Sequence, residues 1–406
     1  MIRLRGARLV LPDRVLEDAA LAMHDGTIVQ IGPAAAAAPG DVDCAGGWVL
    51  PGFIDGHIHG VEGTDVLGAG DAVARVAAAL PRHGVTAFCP TTIACDPAAL
   101  ERFLAAVDGV MAAPAAGAAR VLGAHLESNF LNPAYNGAQP ATCLRRPPRP
   151  GEAPWVDGDY TGAAIVATIA RHQPSVRLVT LAPELDGALD LITRLVAAGH
   201  RVSLGHSGAT FEQGEAGIAA GARHATHLFN RMPPLGHRAP GLAGAVLAHD
   251  EVTAEVLSDG YHVHPAMVRL AVRAKGPGAV LAITDATAGA GLPVGAVTVL
   301  GDRPIRVTDR CAVLDDGTLA GSTLTMDGAF RLLLGPVGLG VVEAARICAT
   351  TPADALGRPD LGRLAVGAAA DVVVLDAAWR VARTFIAGAP AWNPPGRAAV
   401  SEPGRT

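Results

Sequence analysis

The stretch PGFIDGHIHG, residues 51–60, places two histidines, His57 and His59, at the end of a short apolar run. Other apolar runs further along the chain end at residues that can also bind a metal or move a proton: Glu127, His206, His227 and Asp285. Histidine nitrogen and carboxylate oxygen hold zinc, iron or manganese while leaving a coordination position open for water. The six residues therefore predict a metal site with a carboxylate base beside it.

The spacing of these runs predicts the fold that brings them together. Eight β-branched or apolar stretches end near His57, Pro90, Glu127, Pro183, His206, His227, Ser258 and Asp285. Segments with helical periodicity lie between them, for example residues 71–83, 97–111, 186–200 and 211–221. Eight strand-helix repeats are typical of a (β/α)8 barrel, in which the C-terminal ends of all strands meet at one mouth. We expect the six candidate residues to line that mouth.

Both ends of the chain differ from its middle. Residues 2–11, 19–23 and 27–31 alternate like strands, and residues 371–375 and 380–386 do the same near the C-terminus. Neither end has enough strands to bury a sheet face alone. We therefore predict that residues 1–49 and 363–406 form one small β-sandwich domain beside a catalytic barrel of residues 50–362.

Composition limits the possible functions. Half of the 406 residues are apolar, which suffices for a large core, and the formal net charge of −6 argues against nucleic-acid binding. The basic N-terminus lacks the apolar core of a signal peptide and no run of about 18 apolar residues occurs, so we expect a cytoplasmic enzyme with no membrane contact. The six cysteines form no CxxC pair and are expected to be reduced and mostly buried.

Each candidate residue also has a structural interpretation. Taken alone, His206 is compatible with a hydrogen-bonded core histidine, Glu127 with an ion-pair partner, and Asp285 with a turn cap. One shared site explains six such residues at strand ends better than six coincidences do. A further three histidines lie near predicted helix ends, where histidine suits the helix dipole, and we assign them no chemistry: His83, His172 and His200.

Several motifs occur here in the order found in one known family. PGFIDGHIHG, HLE, GHSGAT, THLFN, HRAPG, SDGYHVHP, TDA and DGTLAGSTLTM run from residue 51 to residue 326. In the identity and order of these motifs, the sequence resembles the N-acetylglucosamine-6-phosphate deacetylases of the amidohydrolase superfamily. THLFN followed by HRAPG is specific to those deacetylases, whereas HxH and TDA are shared across the superfamily.

The resemblance implies a metal-dependent amide hydrolysis. Glu127, His206 and His227 would hold the primary metal, and His57 and His59 a second one, with Glu127 as a possible bridge. The cofactor would be zinc or iron, one or two ions per subunit. A metal lowers the pKa of bound water to about 7, and Asp285 would pass the proton of that water to the departing amine. The products would be acetate and an amino-sugar phosphate.

The resemblance also implies a set of substrate-binding residues and a homodimer with shared active sites. The residues that match the family's substrate contacts are Ala138, Gln139, Asn230, Arg231, Arg238, His262, Leu319, Ala320 and Gly321. Of these, Arg238 and His262 would reach the phosphate in the neighbouring subunit's site. Arg231 stands where relatives usually have alanine, and is either a second phosphate ligand or a surface charge.

The sequence departs from the family pattern beside the predicted metal site. Ser128 and Asn129 replace Gly-Pro after the glutamate, and Gln139 replaces a histidine that polarises the substrate carbonyl in relatives. Gln139 retains an amide donor but cannot carry a charge.

Four alternatives to the predicted function remain open at this point. The first is that the substrate is the galactosamine epimer. Other amidohydrolases commonly bridge their metals with a modified lysine, whereas this sequence offers Glu127. Deaminases carry a glutamate soon after the third histidine, and SLGHSGAT has none there. A metal-free scaffold homologue would keep the barrel and lose the ligands.

Overall fold

A computed structural model describes residues 1–33 and 38–394. Of the terminal segments predicted to pair, residues 34–37 and 395–406 therefore lie outside the described chain. Within the described ranges, no helix combines the length and the apolar character needed to cross a membrane. The cysteines there are all free thiols, four of them buried.

Eight parallel strands form the predicted barrel. Their bounds are Phe53–Ile58, Val85–Thr92, Ala124–Glu127, Val176–Leu181, Arg201–Leu204, His224–Ala225, Thr253–Leu257 and Val280–Ile283. Each strand pairs with the next in sequence order, and a parallel bridge between Ile58 and Ala286 links the last strand to the first. The bond from the Asp285 amide to the His57 carbonyl, at 2.9 Å, strengthens this junction. The (β/α)8 prediction is confirmed.

The barrel strands are buried on both faces, which explains their nearly continuous apolar sequences. Every residue of Phe53–Ile58 and of Val85–Thr92 is buried. Polar side chains that point into the barrel bond to one another: Thr180 Oγ1 lies 2.7 Å from His125 Nε2 and 2.7 Å from Thr226 Oγ1. The interior is thus a filled, hydrogen-bonded core.

Helices surround the barrel and lie where helical periodicity predicts them. The longer ones are Ala72–Ala79, Pro97–Ala112, Gly162–Arg171, Ala188–Ala197, Phe211–Ala219, Gly241–Ala248, Pro265–Lys275 and Met326–Leu334, and the shorter ones are Val341–Ala345, a π-helical turn Arg346–Thr350 and Thr351–Ala355. Local sequence sets their starts. Asp96 Oδ1 accepts from the amides of Ala98 and Ala99 before Pro97–Ala112, and Thr210 forms a capping box with Gln213.

Strands from both termini form one continuous eight-stranded sheet. Its members are Ile2–Val10, Val15–His24, Thr27–Pro33, Val42–Asp43, Trp48–Pro51, Val372–Leu375, Val381–Ile386 and Ala389–Trp392. Trp48–Pro51 joins the two ends, because it pairs with Ile2–Val10 on one side and with Val372–Leu375 on the other. The predicted boundary at residue 49 falls inside this strand. A single apolar cluster, with Leu21 and Phe385 among its members, forms the core of the domain built from these strands.

A small sheet that the sequence analysis did not predict follows the last barrel strand. Val297–Leu300, Arg303–Val307 and Ala312–Val313 form three antiparallel strands. Leu300 and Ile305 pack with Ile93 and Ala138, and Arg303 Nη1 donates to the Ala138 carbonyl at 2.7 Å. This sheet therefore forms one wall of the barrel mouth.

Candidate metal centre

The Glu127 carboxylate connects the four predicted histidine ligands. Its Oε1 lies 2.9 Å from Nε2 of His206 and 2.9 Å from Nε2 of His227, and these two nitrogens are 3.1 Å apart. His57 Nε2 lies 3.8 Å from the same oxygen, and His59 Nε2 lies 3.6 Å from Oε2. All five side chains are buried. The structure thus brings together residues that are up to 170 positions apart in the sequence.

Asp285 completes the cluster on the side of the two adjacent histidines. Its Oδ1 lies 3.3 Å from His59 Nε2 and 3.5 Å from His57 Nε2. It retains more exposure than the ligands, with 13% of its side chain accessible, and it lines the cavity above them. A carboxylate in this position can exchange a proton with a molecule in the cavity.

Hydrogen bonds on the far side of the rings hold three of the four histidines in position. Nδ1 of His57 faces Glu255 Oε2 at 3.0 Å, Nδ1 of His59 faces the Thr91 carbonyl at 2.9 Å, and Nδ1 of His206 faces the Tyr135 carbonyl at 2.8 Å. An acceptor at Nδ1 holds a ring proton there, so Nε2 is the nitrogen that remains to bind a cation. Within residues 1–33 and 38–394, Nδ1 of His227 has no such partner.

The backbone is strained where the strands end. His206, His227 and Asp285 have φ angles of 48°, 29° and 47°, in the left-handed region that residues with a side chain rarely adopt. Such conformations persist where the surroundings enforce them and they cluster at functional sites. Here they turn three side chains from separate strands toward one point.

The donor set fits a divalent cation. Two groups, His57 with His59 and Glu127, and Glu127 with His206 and His227, each bring their ligand atoms within 4.8 Å of one another. Four Nε2 atoms face the Glu127 carboxylate, an arrangement that requires either protons or a cation between them. Imidazole nitrogen and carboxylate oxygen suit zinc and iron, so the residues present match the metal that the sequence predicted.

Electrostatics keeps both carboxylates ionised. Burial raises the pKa of Glu127, but the charges of His206 and His57 and the hydrogen bonds to His206 and His227 outweigh it, so the pKa lies well below its ordinary value. Burial likewise raises the pKa of Asp285, and His57 and His59 outweigh it, so that pKa is lowered too. Ionised carboxylates suit a ligand and a base.

A cavity of about 430 Å³ opens above the cluster. Seven of the nine predicted substrate residues line it: Ala138, Gln139, Asn230, Arg231, His262, Leu319 and Gly321. Ala320 is buried behind its two neighbours, and Arg238 is exposed outside the cavity. His262, which the resemblance placed in the neighbouring subunit's site, lines the cavity of its own chain. Its Nδ1 lies 2.6 Å from Asp259 Oδ2.

Gln139 is bound by protein at both ends of its amide. Its Oε1 accepts from the Ala94 amide at 2.7 Å, and its Nε2 donates to Glu127 Oε2. The sequence analysis expected Gln139 to donate to the substrate. In the structure, at least one of its two amide protons is directed at the predicted metal-bridging carboxylate.

Sequence reasoning missed the groups that support the ligands. Glu255 accepts from the His227 amide at 3.1 Å, and its other oxygen lies 3.1 Å from His224 Nε2. Asp55 is equally buried and accepts from Thr284 Oγ1 at 2.5 Å. The sequence did contain a signal for both residues, because Asp55 and Glu255 are each the single acidic residue in an otherwise apolar or neutral barrel strand. Periodicity identified these strands but not the partners of their carboxylates.

Comparison with known proteins agrees with this geometry. Residues 48–393 match the amidohydrolase family. The N-acetylglucosamine-6-phosphate deacetylase of Rattus norvegicus is 38% identical over 365 residues, which cover 86% of this chain and 85% of that protein. The N-acetylgalactosamine-6-phosphate deacetylase of Escherichia coli O157:H7 is 35% identical over 390 residues, which cover 95% and 98%.

Solved structures with the same architecture include two deacetylases. A mutant N-acetyl-D-glucosamine-6-phosphate deacetylase from Mycobacterium smegmatis, in complex with N-acetyl-D-glucosamine-6-phosphate, matches with a TM-score of 0.87 and 34% identity, covering 96% of this chain and 99% of that one. The N-acetylglucosamine-6-phosphate deacetylase from Thermotoga maritima matches with a TM-score of 0.82 and 29% identity, covering 97% and 100%.

Proposed function

This chain belongs to the amidohydrolase family, and from that premise we propose that it removes the acetyl group from the nitrogen of N-acetylglucosamine-6-phosphate. The observation that carries the proposal is the convergence of Glu127, His206, His227 and Asp285 at the floor of one cavity. Hydrolysis of this amide yields acetate and glucosamine-6-phosphate.

We propose that Glu127, His206 and His227 hold a divalent cation, zinc or iron, and that His57 and His59 offer a second site that shares Glu127. When bound, the cation supplies Lewis acidity to the amide carbonyl and lowers the pKa of water to about 7. Glu255 and the Thr91 and Tyr135 carbonyls hold a proton on Nδ1 of their histidines and aim Nε2 at the site, where a bound cation would take the place of the Nε2 proton.

Asp285 carries the proton in this proposal. Its lowered pKa keeps it ionised at neutral pH, so it can accept a proton from the attacking water. It then donates that proton to the amide nitrogen, because the nitrogen can leave as a neutral amine but not as the amine's anion. The position of Asp285 at the cavity floor puts it within reach of both partners.

The sugar phosphate would lie between the metal centre and the loops of the mouth. Asn230, Arg231 and His262 line one part of the cavity, and Leu319 and Gly321 line the side beside Asp285. The bond from Asp259 fixes Nδ1 of His262 and leaves its Nε2 available to the substrate. We assign His262 to its own subunit's site because it lines that cavity.

We propose that Arg238 reaches the phosphate across a homodimer interface. It is exposed in the loop that follows Asn230 and lies outside its own chain's cavity, so it has no role there. Arginine offers a planar fork of donors suited to phosphate oxygens. In an enzyme of net charge −6, such local donors are needed to hold a dianion.

A second candidate substrate is N-acetylgalactosamine-6-phosphate. The Escherichia coli O157:H7 relative with that name aligns over 95% of this chain, more than the rat glucosamine enzyme does. The two sugars differ in the orientation of one hydroxyl, so they require the same metal centre and base.

Deacetylation of a small panel tests these proposals. The panel holds both phosphorylated epimers, the mannosamine epimer, unphosphorylated N-acetylglucosamine and an N-acetyl amino acid. We expect the highest kcat/KM with N-acetylglucosamine-6-phosphate. Higher kcat/KM with the galactosamine epimer would support the second candidate, and inactivity toward every phosphorylated sugar would overturn both.

Metal analysis of the purified protein tests the remaining alternative, a metal-free scaffold. Such a scaffold would bind less than about 0.2 metal per chain, even after addition of zinc or iron, because its ligand set would no longer close around a cation.

A further inference from the structure

A second cavity, of about 260 Å³, lies at the opposite end of the barrel from the metal centre. Arginines line it at the start of three successive strands. Arg177 is the second residue of Val176–Leu181, Arg201 begins Arg201–Leu204, and Arg223 immediately precedes His224–Ala225. Arg201 precedes the ligand His206 by five positions, which corresponds to roughly 16 to 17 Å at about 3.3 Å per residue. This basal cavity is therefore distinct from the site described above.

None of the three guanidinium groups forms an ion pair within residues 1–33 and 38–394. Each bonds to neutral oxygens instead: Arg177 Nε donates to the Leu122 carbonyl at 3.2 Å, and Arg223 Nη1 donates to the Ile218 and Ala222 carbonyls at 2.7 and 2.8 Å. The charge of Arg223 acts on Glu251, but that carboxylate bonds to His249 and not to the guanidinium. The cavity thus concentrates positive charge without a compensating anion.

Arg201 is the most constrained of the three. Its Nη2 donates to the Arg223 carbonyl at 2.8 Å and to Thr253 Oγ1 at 3.0 Å, whereas its buried Nε has no hydrogen-bond partner in the part of the chain that the structure describes. Burial, together with the nearby charge of Arg223, lowers the pKa of Arg201 to about 10. A partly buried cation without a counter-ion is costly, and so is a buried donor without an acceptor. An anion in the cavity would relieve both costs.

His200 adds a group that responds to such an anion. His200 lines the cavity, its Nδ1 bonds to the Val176 carbonyl at 2.9 Å, and no hydrogen bond to its Nε2 is found within the described ranges. Burial, reinforced by the charge of Arg177, lowers the pKa of His200 and keeps it neutral. A bound anion would favour its protonated, donating form. The interpretation of His200 as a simple helix-end residue is therefore incomplete.

We propose that the basal cavity binds one inorganic phosphate ion, held by Arg177, Arg201 and Arg223. Planar guanidinium groups match phosphate oxygens, and three of them offset a dianion. The cavity volume of about 260 Å³ accommodates an ion of this size. Val196 and Leu356 close the apolar side of the cavity. Binding to the folded state alone would stabilise the barrel.

Thermal unfolding in sodium phosphate, compared with sodium chloride of equal ionic strength, tests the proposal. The variants are Arg177→Gln and Arg223→Gln. The matched control is Arg75→Gln, which removes an exposed arginine paired with Asp71 at 2.9 Å, far from the cavity. We expect phosphate to raise the Tm of wild type and control by about 2 °C or more. The two basal variants should show less than half of that rise. Equal rises in all four proteins would overturn the proposal.

Two further measurements separate the basal cavity from phosphate binding in the catalytic cavity. Competitive inhibition of deacetylation by phosphate should be unchanged in Arg177→Gln, since a competitor acts at the metal centre. Parallel loss of inhibition and of stabilisation would indicate one shared site and contradict the proposal.

Wild-type crystals soaked in tungstate, and separately in glucose-6-phosphate, give a test that requires no variant. Tungstate density between the arginines is expected. A cavity without tungstate, or one that holds only the sugar phosphate, would overturn the assignment of inorganic phosphate.

Discussion

Asp285 Oδ1 lies 3.3 Å from His59 Nε2, on the cavity side of the predicted metal ligands. This arrangement allows an amide in place of the carboxylate without loss of the ligand set. We expect Asp285→Asn to retain the fold and to bind metal as wild type does. Its turnover should fall by roughly 10²- to 10⁴-fold, the usual contribution of a general acid or base. Metal content by elemental analysis and kcat with the phosphorylated sugar give the two measurements.

The control for that variant is a second carboxylate that lies outside the cavity. Glu184 accepts from Asn132 Nδ2 at 2.8 Å and from Ser207 Oγ at 2.7 Å, beside the strand end that carries His206. Glu184→Gln should change kcat far less than Asp285→Asn does, because it can exchange no proton with substrate. Near wild-type turnover in Asp285→Asn would show that another group moves the proton.

We expect Gln139 to influence activity through its hydrogen bond to Glu127. The Nε2 of Gln139 donates to Glu127 Oε2, and supporting bonds of this kind typically contribute 10- to 100-fold to metal affinity. We expect Gln139→Leu to weaken metal binding by roughly that factor when a chelator competes for the ion.

The variant Gln139→His tests whether glutamine only replaces the histidine of relatives. A histidine at this position cannot both accept from the Ala94 amide and donate to Glu127 with the same geometry. We therefore expect a loss of kcat. A gain in kcat would mean that the two residues are interchangeable, and that the contact with Glu127 is unimportant for catalysis.

The sequence predicted the barrel and the ligand set for the same physical reason. Buried parallel strands need apolar residues on both faces, so a histidine or carboxylate where such a strand ends is conspicuous. Glu127, His206 and His227 were identified in this way. Glu255 was not, because it lies within a strand and its role depends on the Nδ1 atom of His57, which arrives from a strand about 200 residues earlier.

Other features escaped prediction because they depend on how the barrel closes. The three basal arginines are ordinary charges in the sequence, and only the pairing of their strands places them around one cavity. The sheet at residues 297–313 was missed because its first strand is largely exposed and lacks a clear apolar face. The resemblance assigned His262 to the neighbouring subunit's site, which stays a prediction, and only the folded chain shows that His262 also lines the cavity of its own chain.

Removal of one ligand of the primary group should abolish metal binding at that site. His206 Nε2 and His227 Nε2 share one Glu127 oxygen, so His206→Ala leaves two ligands and an unfilled position. We expect the variant to retain less than a tenth of the activity and to lose its metal on dialysis, since three protein ligands are the norm for a catalytic ion. His83→Ala, which removes a histidine paired with Glu62 at 3.1 Å, serves as control. Full metal content in His206→Ala would contradict the assignment.

Arg238 provides the test of the shared active site. Because it is exposed in the single chain, Arg238→Ala should leave folding unchanged. We expect kcat/KM for the phosphorylated sugar to fall at least about 10-fold, while kcat/KM for the unphosphorylated sugar stays within about twofold. Arg149→Ala, which breaks an exposed pair with Asp186, should change neither value. Equal losses on both sugars, or full activity in a monomer by sedimentation, would exclude phosphate binding by Arg238 across an interface.

A pH-dependent contribution to stability should come from His172, at the end of helix Gly162–Arg171. Burial lowers the pKa of this imidazole, but hydrogen bonds to Glu101 at 2.9 Å and to Asp108 at 2.5 Å outweigh it, so the pKa is raised. A raised pKa in the folded state means that the stabilisation is complete below the unfolded value of about 6.5. It is lost as the pH rises through the folded-state pKa.

The variant His172→Gln removes this contribution and retains a neutral hydrogen-bonding group. Wild type should therefore unfold at a higher temperature than His172→Gln at pH values below about 6.5, and the difference in Tm should shrink as the pH rises. Differential scanning calorimetry across the range, at constant ionic strength, gives the measurement. His24→Gln is the control, because His24 lies exposed beside Asp25, and among the described residues Asp25 is its one carboxylate partner. A difference in Tm that is constant with pH would show that His172 acts by packing alone.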